Sequence, residues 1–410
     1  MTNTKNISRY LSDILKKNMM LVSLAVVVIV FQIWISSLGK NSLLSPANIT
    51  NLINQNAYVV ILAIGMLMCI ITGGNIDLSV GSQVALVGAI AGKLIVDGKF
   101  NVYISIIICI IAGILIGAWQ GFWIAYMRIP AFIVTLAGML TFRGIMRVIL
   151  NGLTISPFPQ EIVNLFGSYF PTNLLGEEKI LAMSLDERLA LQLIVSLAVG
   201  IALCLTVILI QVFSRISKHK KGYKTEALWS FIVKIIIVCA ALMFLFFSVG
   251  QDKGVPVILI TLGLIALVYT YFTNNTVPGR NMYAMGGNEK AAKLSGVNTN
   301  NVLFFSYVNM GFLAAIAALV CVVRFNSIDP LRGQNYEMDA IASCYIGGAS
   351  AYGGVGTVGG AIIGAIFMGV LNNGMSIVGI DQNWQAAAKG IVLLVAVIID
   401  ILSHRGTSKA

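Results

Sequence analysis

Long apolar runs recur along the whole chain and are separated by short polar segments. A helix that crosses a hydrocarbon layer about 30 Å thick needs roughly 20 apolar residues, whereas a membrane β-barrel needs short segments of alternating polarity. The pattern therefore predicts an all-α polytopic membrane protein with about 12 transmembrane segments. We place these segments at 19–38, 56–72, 80–97, 102–119, 131–150, 189–213, 229–249, 255–273, 303–323, 338–351, 357–372 and 385–402.

Two of the predicted segments, 338–351 and 357–372, are short and rich in glycine. We expect them to be broken or re-entrant helices rather than full crossings. Residues 56–97 and 338–372 also share the order of an apolar run, a glycine-punctuated turn and a second apolar run. Many transporter folds contain internal repeats with discontinuous helices at the pathway, so this echo favours a transporter.

Composition and charge add an orientation. Of the 410 residues, 58% are hydrophobic and 10% are charged, and the net charge is +11. An even number of spans places both termini on one side, and the distribution of Lys and Arg assigns that side to the cytoplasm. Basic loops that face anionic lipid explain the positive charge without a nucleic-acid partner. The cytoplasmic cations, which outnumber the external ones, are Lys5, Arg9, Lys16, Lys17, Arg128, Arg215, Lys218, Lys220, Lys221, Lys224, Arg280, Lys290, Lys293, Arg405 and Lys409.

The sequence offers no catalytic or metal-binding constellation. Its six cysteines lie in apolar runs without CxxC spacing, and its two histidines, His219 and His404, lie in polar segments. Gly354, Gly356 and Gly359 match GxGxxG, but a dinucleotide site needs this motif in a βαβ unit, and here membrane segments flank it. We therefore predict no cofactor, no metal site and no enzymatic activity in this chain.

A carboxylate and several glycines stand between the second and third predicted spans, in GGNIDLSVGS at 73–82. One interpretation makes Asp77 the N-cap of the third span, because an aspartate there accepts backbone N–H groups and suits the positive end of the helix dipole. The other places Asn75, Asp77 and Ser79 in a water-accessible turn at a transport pathway or gate. The sequence leaves both interpretations open.

Arg143 and Arg147 lie four residues apart in the fifth predicted span, where a charge costs about 3 kcal/mol at the helix centre. Arg143 either extends to the external interface or faces the interior and donates hydrogen bonds to a polar solute or a neighbouring helix end. Asn372 and Asn373 are further candidates for the pathway or gate.

Small residues at four-residue spacing recur along several spans, and we expect them to let helix backbones approach closely; the alternative is that some of these glycines line a narrow pathway. The stripes are Gly88 and Gly92, Gly113, Gly117 and Gly121, and Gly360 and Gly364.

The long polar segment 274–301 is predicted to be a cytoplasmic loop. Pro278 and Gly279 interrupt the preceding span, and EKAAKL at 289–294 predicts a short helix that ends at Ser295 and Gly296. Its small residues would suit docking into a groove of a partner protein, although an ordinary surface helix has the same pattern.

Four segments together resemble the membrane permease subunit of bacterial ABC importers for monosaccharides, the group for ribose, xylose, galactose-type sugars and multiple sugars. They are GGNIDLSVGS at 73–82, IPAFIVTLAGMLTFRG at 129–144, GRNMYAMGGNEKAAKLSGVN at 279–298 and IGGASAYGGVGTVGGAIIGA at 346–365. The extra spans around 189–249 are most similar to the xylose and multiple-sugar permeases. The resemblance covers most of the chain after residue 50, apart from an insertion at 151–250.

This resemblance implies a single transmembrane permease domain over 1–410 in a bacterial cytoplasmic membrane. It also implies a second permease chain, in which a homodimer is expected, an ABC ATPase subunit that binds ATP, and an extracytoplasmic sugar-binding protein. The loop 274–301 would be the coupling loop that contacts the ATPase. By analogy the coupling residues would be Asn288, Glu289, Ala291, Ala292, Ser295 and Gly296.

Two other functions are open from the sequence. An ion-coupled secondary sugar transporter would need titratable residues near the membrane centre, where the sequence shows few convincing carboxylates. An integral-membrane enzyme would need a cluster of His, Asp and Glu residues, which the sequence lacks. The choice among ribose, xylose, arabinose and galactose is also open, because the binding protein is expected to carry much of the selectivity.

Overall fold

A computed structural model describes residues 19–172, 176, 183–220, 222 and 228–407. Several predicted cytoplasmic cations, namely Lys5, Arg9, Lys16, Lys17, Lys221, Lys224 and Lys409, lie outside the described residues. The described residues are almost entirely helical, as predicted. The helices are α1 (Met19–Ser37), α2 (Pro46–Ile71), α3 (Val80–Ala91), α4 (Val102–Ala125), α5 (Ala131–Leu150), α6 (Gln160–Phe166), α7 (Leu185–Lys220), α8 (Leu228–Gly250), α9 (Val257–Asn275), α10 (Val277–Gly287), α11 (Glu289–Leu294), α12 (Thr299–Phe325), α13 (Tyr336–Ile346), α14 (Val358–Val378) and α15 (Gln382–Thr407).

Ten of the described helical segments are long and apolar enough to cross a membrane, which confirms a polytopic all-α membrane protein. One of them joins α3 to the π-helical turn Gly92–Asp97. The other two predicted spans correspond to α13 and α15. With 11 residues, α13 is about 16 Å long at 1.5 Å per residue, roughly half of the apolar layer. The segment predicted at 338–351 is therefore a short helix followed by turns.

The chain divides into two compact units. The first contains residues 1–41, 55–166 and 260–410, and the second contains 42–54 and 167–259. The segment 151–250, which the resemblance implies is an insertion, overlaps the second unit over 167–250. Its residues before 167 lie in the first unit, where Ile155 pairs with Ile328 and the backbone N–H of Phe158 donates to the side chain of Asn326.

In the second unit, α7 and α8 pack against each other. Gly200 lets α7 approach the ring of Phe246, and Phe246 forms an apolar cluster with Val249 and Val255. Two short strands, β1 (Tyr169–Phe170) and β2 (Val255–Pro256), pair in an antiparallel arrangement beside this cluster. The unit therefore has its own small core.

In the first unit, α12 packs along α4 through glycines. A Cβ at Gly113 would lie 2.5 Å from the carbonyl oxygen of Gly311, and a Cβ at Gly117 would overlap the carbonyl oxygen of Tyr307. This confirms the packing role predicted for the stripe at 113–121, because only glycine allows such close approach of two helix backbones. Gly364 meets the carbonyl oxygen of Ser343 in the same manner, which brings α14 against α13.

Candidate functional site

The turn 72–79 holds the Asp77 carboxylate inside the protein. One carboxylate oxygen accepts hydrogen bonds from the backbone N–H of Ser79 at 2.8 Å and from its hydroxyl at 2.7 Å. Both residues are fully buried. The N-cap of α3 is Ser79 rather than Asp77, and the Ser79 side chain makes no capping bond. Asp77 therefore orders the turn that precedes α3, and it is not the helix cap that one interpretation predicted.

Two glutamines extend this arrangement into a network. The side-chain amide of Gln83 in α3 donates to the second oxygen of Asp77 at 2.9 Å and lies 3.0 Å from the side-chain oxygen of Gln120 in α4. The amide of Gln120 donates to the hydroxyl of Ser79 at 2.6 Å. We call Asp77, Ser79, Gln83 and Gln120 the Asp77 network. Its dipoles surround a buried charge that would be unfavourable without hydrogen bonds.

Gln83 and Gln120 were not identified from the sequence. Each is an amide within or next to an apolar run, which is the signal that would have found them. Asn75 lies in the same turn, half-buried, with its amide 3.4 Å from the carbonyl oxygen of Thr72. The structure thus brings the three predicted residues of the turn together, and it buries Asp77 and Ser79 instead of exposing them to a cavity.

Arg143 in α5 directs part of its guanidinium into the protein. Its Nε and Nη2 atoms are buried and make no hydrogen bond within the described chain. This geometry favours the interior interpretation over extension to the membrane surface, because an arginine that extends to an interface places these nitrogens in water. Arg147, one turn later, is exposed. Arg143 is not part of the Asp77 network.

Two buried carboxylates of α13 were missed by the sequence reasoning. Asp339 pairs with Lys389 of α15, whose Nζ lies 2.9 and 3.0 Å from the two carboxylate oxygens. Glu337 is also buried, and its Oε2 atom has no hydrogen-bond partner within the described chain. The signal was a set of charges at the edge of, or within, the predicted spans 338–351 and 385–402.

The predicted pathway residues Asn372 and Asn373 lie in α14. The Asn372 side chain lies beside Asp339, and Asn373 is buried. Asn372 therefore lies near the buried ion pair rather than at the turn that contains Asp77, and Asn373 is the next residue of the same helix. The predicted pathway residues thus belong to more than one place in the fold.

The segment 274–301 contains two helices where the sequence predicted one. Thr276 caps α10 by accepting the backbone N–H of Gly279, and Pro278 lies in the first turn, where its missing N–H does not disrupt the helix. The predicted helix at 289–294 is present as α11. Asn288 caps it by accepting the N–H of Ala291 at 3.0 Å, and Gly296 follows with φ +87°.

The outward face of α11 differs from the predicted contact set. Ala292 is only 5% exposed and packs inside the chain, so it does not present the small face that the sequence suggested. Leu294 is 90% exposed instead. The other predicted coupling residues, Asn288, Glu289, Ala291, Ser295 and Gly296, are exposed.

Arg128, in the turn between α4 and α5, holds the start of α11. Its guanidinium donates to Glu289 at 2.7 Å and also contacts the side-chain oxygen of Asn300. The hydrogen bond from Arg128 lowers the pKa of Glu289 below its usual value. Because both side chains of the pair are more than 40% exposed, its net contribution to stability is small.

No metal centre emerges from these sites: among the residues that the structure describes, no group of three or more His, Cys, Asp or Glu is arranged to hold a metal ion.

Comparisons with known proteins give consistent similarities. The family model described as "Branched-chain amino acid transport system / permease component" matches residues 48–397. The chain is 36% identical over 381 residues to the xylose transport system permease protein XylH of Haemophilus influenzae, covering 93% of this chain and 95% of that protein. It is 31% identical over 353 residues to the ribose import permease protein RbsC of Escherichia coli K12, covering 86% and 85%. No solved structure matches the chain.

Proposed function

The chain belongs to the family of branched-chain amino acid transport system / permease components, and on this premise we propose that it is the transmembrane subunit of an ATP-driven monosaccharide importer. The substrate would be a pentose or hexose that enters the cytoplasm. The observation that carries the proposal is the similarity to xylose and ribose permeases over most of both chains. The multi-pass helical architecture agrees with it.

Under this proposal, other chains supply the energy for transport. ATP would be bound and hydrolysed by an ABC ATPase subunit, and a sugar-binding protein would deliver the substrate from the external side. A second permease chain, expected to be identical, would complete the pathway, and no nucleic acid takes part. Both termini would lie in the cytoplasm of a bacterium, with the protein in the cytoplasmic membrane.

The ATPase contact is proposed at α11. Asn288, Glu289, Ala291, Ser295 and Gly296 supply an exposed polar surface, and Leu294 supplies an exposed apolar side chain next to it. An exposed apolar side chain surrounded by polar residues matches the usual anatomy of a protein interface, which has an apolar centre and a polar rim.

The proposed pathway includes the turn 72–79 and the interior side of α5. Asn75, Asp77 and Ser79 would shape the gate, and Arg143 would offer two unpaired hydrogen-bond donors to hydroxyl groups of a sugar. Asn372 would act near the buried pair formed by Asp339 and Lys389, and Asn373 would act from the next position of α14. An uncharged polyol both donates and accepts hydrogen bonds, so amides and a guanidinium are suitable partners.

One observation favours a second candidate, an ion-coupled secondary sugar transporter. Glu337 and Asp339 are carboxylates buried in a short helix, and intramembrane carboxylates are the usual binding groups for coupling ions. The ABC proposal remains the stronger of the two, because the similarity to XylH and RbsC extends over most of the chain.

Reconstitution distinguishes the two candidates. We expect proteoliposomes that contain the permease, its ATPase subunit and its binding protein to accumulate D-xylose or D-ribose only with ATP. Arabinose and galactose should be tested as substrates in the same assay. Permease without the ATPase should show no uptake under a proton or sodium gradient. Gradient-driven uptake by the permease alone would refute the ATP-driven mechanism.

A further inference from the structure

Three glycine-rich segments meet in one place, at the end of α10, in the turn 72–79 and in the turn 347–357. The backbone N–H of Gly354 donates to the carbonyl oxygen of Ile71 at 3.0 Å. A Cβ at Gly286 would overlap that same carbonyl oxygen and also the backbone nitrogen of Gly354. A Cβ at Gly353 would lie 2.5 Å from the Cα of Gly73. We call Ile71, Gly73, Gly286, Gly353 and Gly354 the glycine junction.

The helices α10 and α11 are joined stiffly on one side of the glycine junction. A single residue, Asn288, connects them: its N–H donates to Ala284 at 3.1 Å, and its side chain accepts from Ala291 at 3.0 Å. The hydroxyl of Tyr283 also donates to the carbonyl oxygen of Gly356 at 2.8 Å. A displacement of α11 therefore reaches the turn 347–357 at two points, through Tyr283 and through the glycine junction.

The glycine junction also adjoins the segments that carry the two buried polar sites, the Asp77 network and the pair of Asp339 with Lys389. Ile71 is the last residue of α2, and the turn that follows it contains Asp77 and ends at α3. The turn 347–357 follows α13, which carries Asp339. Backbone atoms in direct contact have no side-chain rotamers to absorb a shift, so closely packed segments pass a displacement on.

We propose that the glycine junction transmits movement of α11 to the turns 72–79 and 347–357, with Gly286 as a positioning residue of the transport cycle. This inference rests on the proposed function, because it assumes that an ATPase moves α11. Glycine is needed at 286 because any side chain there separates α10 from Ile71. Gly287 is adjacent in the same helix, and a Cβ there would have open space.

The two neighbouring glycines provide a matched test. Gly286→Ala and Gly287→Ala are introduced separately into the complete complex of permease, ATPase and binding protein in proteoliposomes. The readout is the amount of D-xylose or D-ribose taken up per ATP hydrolysed. We expect Gly286→Ala to lower this ratio by about tenfold with the ATPase still bound, a usual size for coupling between sites, and Gly287→Ala to change it by less than about twofold. An assembled Gly286→Ala complex with the wild-type ratio, or an equal loss in Gly287→Ala, would overturn the inference.

A milder variant decides the case if Gly286→Ala does not assemble. Tyr283→Phe keeps the ring and removes only the hydroxyl that bonds Gly356, so it should assemble normally and lower the ratio by about threefold, the size expected for one hydrogen bond. In that case a wild-type ratio in Tyr283→Phe would refute the inference. Failure of the proposed function is recognised separately, because the wild-type complex itself would then show no ATP-dependent sugar uptake.

Discussion

The ion pair between Asp339 and Lys389 allows a prediction of stability that does not depend on the transported substrate. The pair joins α13 to α15, with the lysine nitrogen 2.9 Å from the nearer carboxylate oxygen. The side chains are 16% exposed for Lys389 and 2% exposed for Asp339. Replacing Lys389 by methionine keeps most of the side-chain volume and leaves the carboxylate buried without its cation.

The size of the effect follows from the burial of the pair. Removing one partner of a buried ion pair costs about 3–5 kcal/mol, because the remaining charge is neither paired nor solvated. Replacing both partners, as in Asp339→Asn with Lys389→Met, removes the charge as well and should stay within about 1 kcal/mol of the wild type. We therefore expect the double variant to be more stable than Lys389→Met alone.

An exposed pair in the same chain serves as the control. Lys93 and Asp97 lie 2.6 Å apart with side-chain exposures of 43% and 45%, so Lys93→Met should change stability by no more than about 1 kcal/mol. The free energy of unfolding is measured in mixed micelles for the wild type, both single Lys→Met variants and the double variant. Equal stability of Lys389→Met and Lys93→Met, or a double variant less stable than Lys389→Met, would contradict this prediction.

Three further predictions concern the other sites. Asp77→Asn should lower the free energy of unfolding by about 1–3 kcal/mol and reduce transport. The reason is that the new amide group either faces the donating amide of Gln83 or loses the hydrogen bonds from Ser79. Wild-type uptake at normal expression would contradict this. Leu294→Ser should weaken ATPase binding in a pull-down titration by about 1–3 kcal/mol without changing thermal stability, and equal binding would remove Leu294 from the contact. The pairing of Glu289 with Arg128 should persist from pH 8 down to about pH 5, because the pKa of Glu289 lies below the usual value of about 4.3. The pairing should be lost only as the pH falls further. The free energy of unfolding of the wild type and of Glu289→Gln is compared as the pH is lowered, and a charge-dependent difference that is already lost before the pH reaches about 5 would refute this.

The features that the sequence predicted well depend on local patterns. Apolar runs of sufficient length predicted most of the spans, since the bilayer sets the length of a crossing helix. The glycines of 113–121 predicted close helix packing, and α12 provides the partner backbone. EKAAKL predicted α11 because capping residues and helix formers are adjacent in the chain. In each case a few consecutive residues carried the information.

The features that were missed depend on contacts between distant residues. Ala292 resembles an exposed small residue in the sequence, but the fold places it on the inward face of α11. The pairing of Asp339 with Lys389 joins residues 50 positions apart, so neither residue alone indicates a satisfied charge. The helix α10 was missed because Pro278 suggested an interruption of the preceding span. In the structure Thr276 caps a new helix, and Pro278 lies in its first turn.

The structure also indicates why a carboxylate, Asp77, follows the second span. Asp77 accepts three hydrogen bonds from Ser79 and Gln83 and is fully buried, so in this conformation it offers no free oxygen to a solute. Hydrogen bonds to a charged group contribute about 1.5–3 kcal/mol each, and a sugar hydroxyl that replaced them would have to supply a similar amount. Holding the turn therefore explains Asp77 better than direct sugar binding does. We expect loss of the carboxylate to act on the position of α3, and through it on the gate.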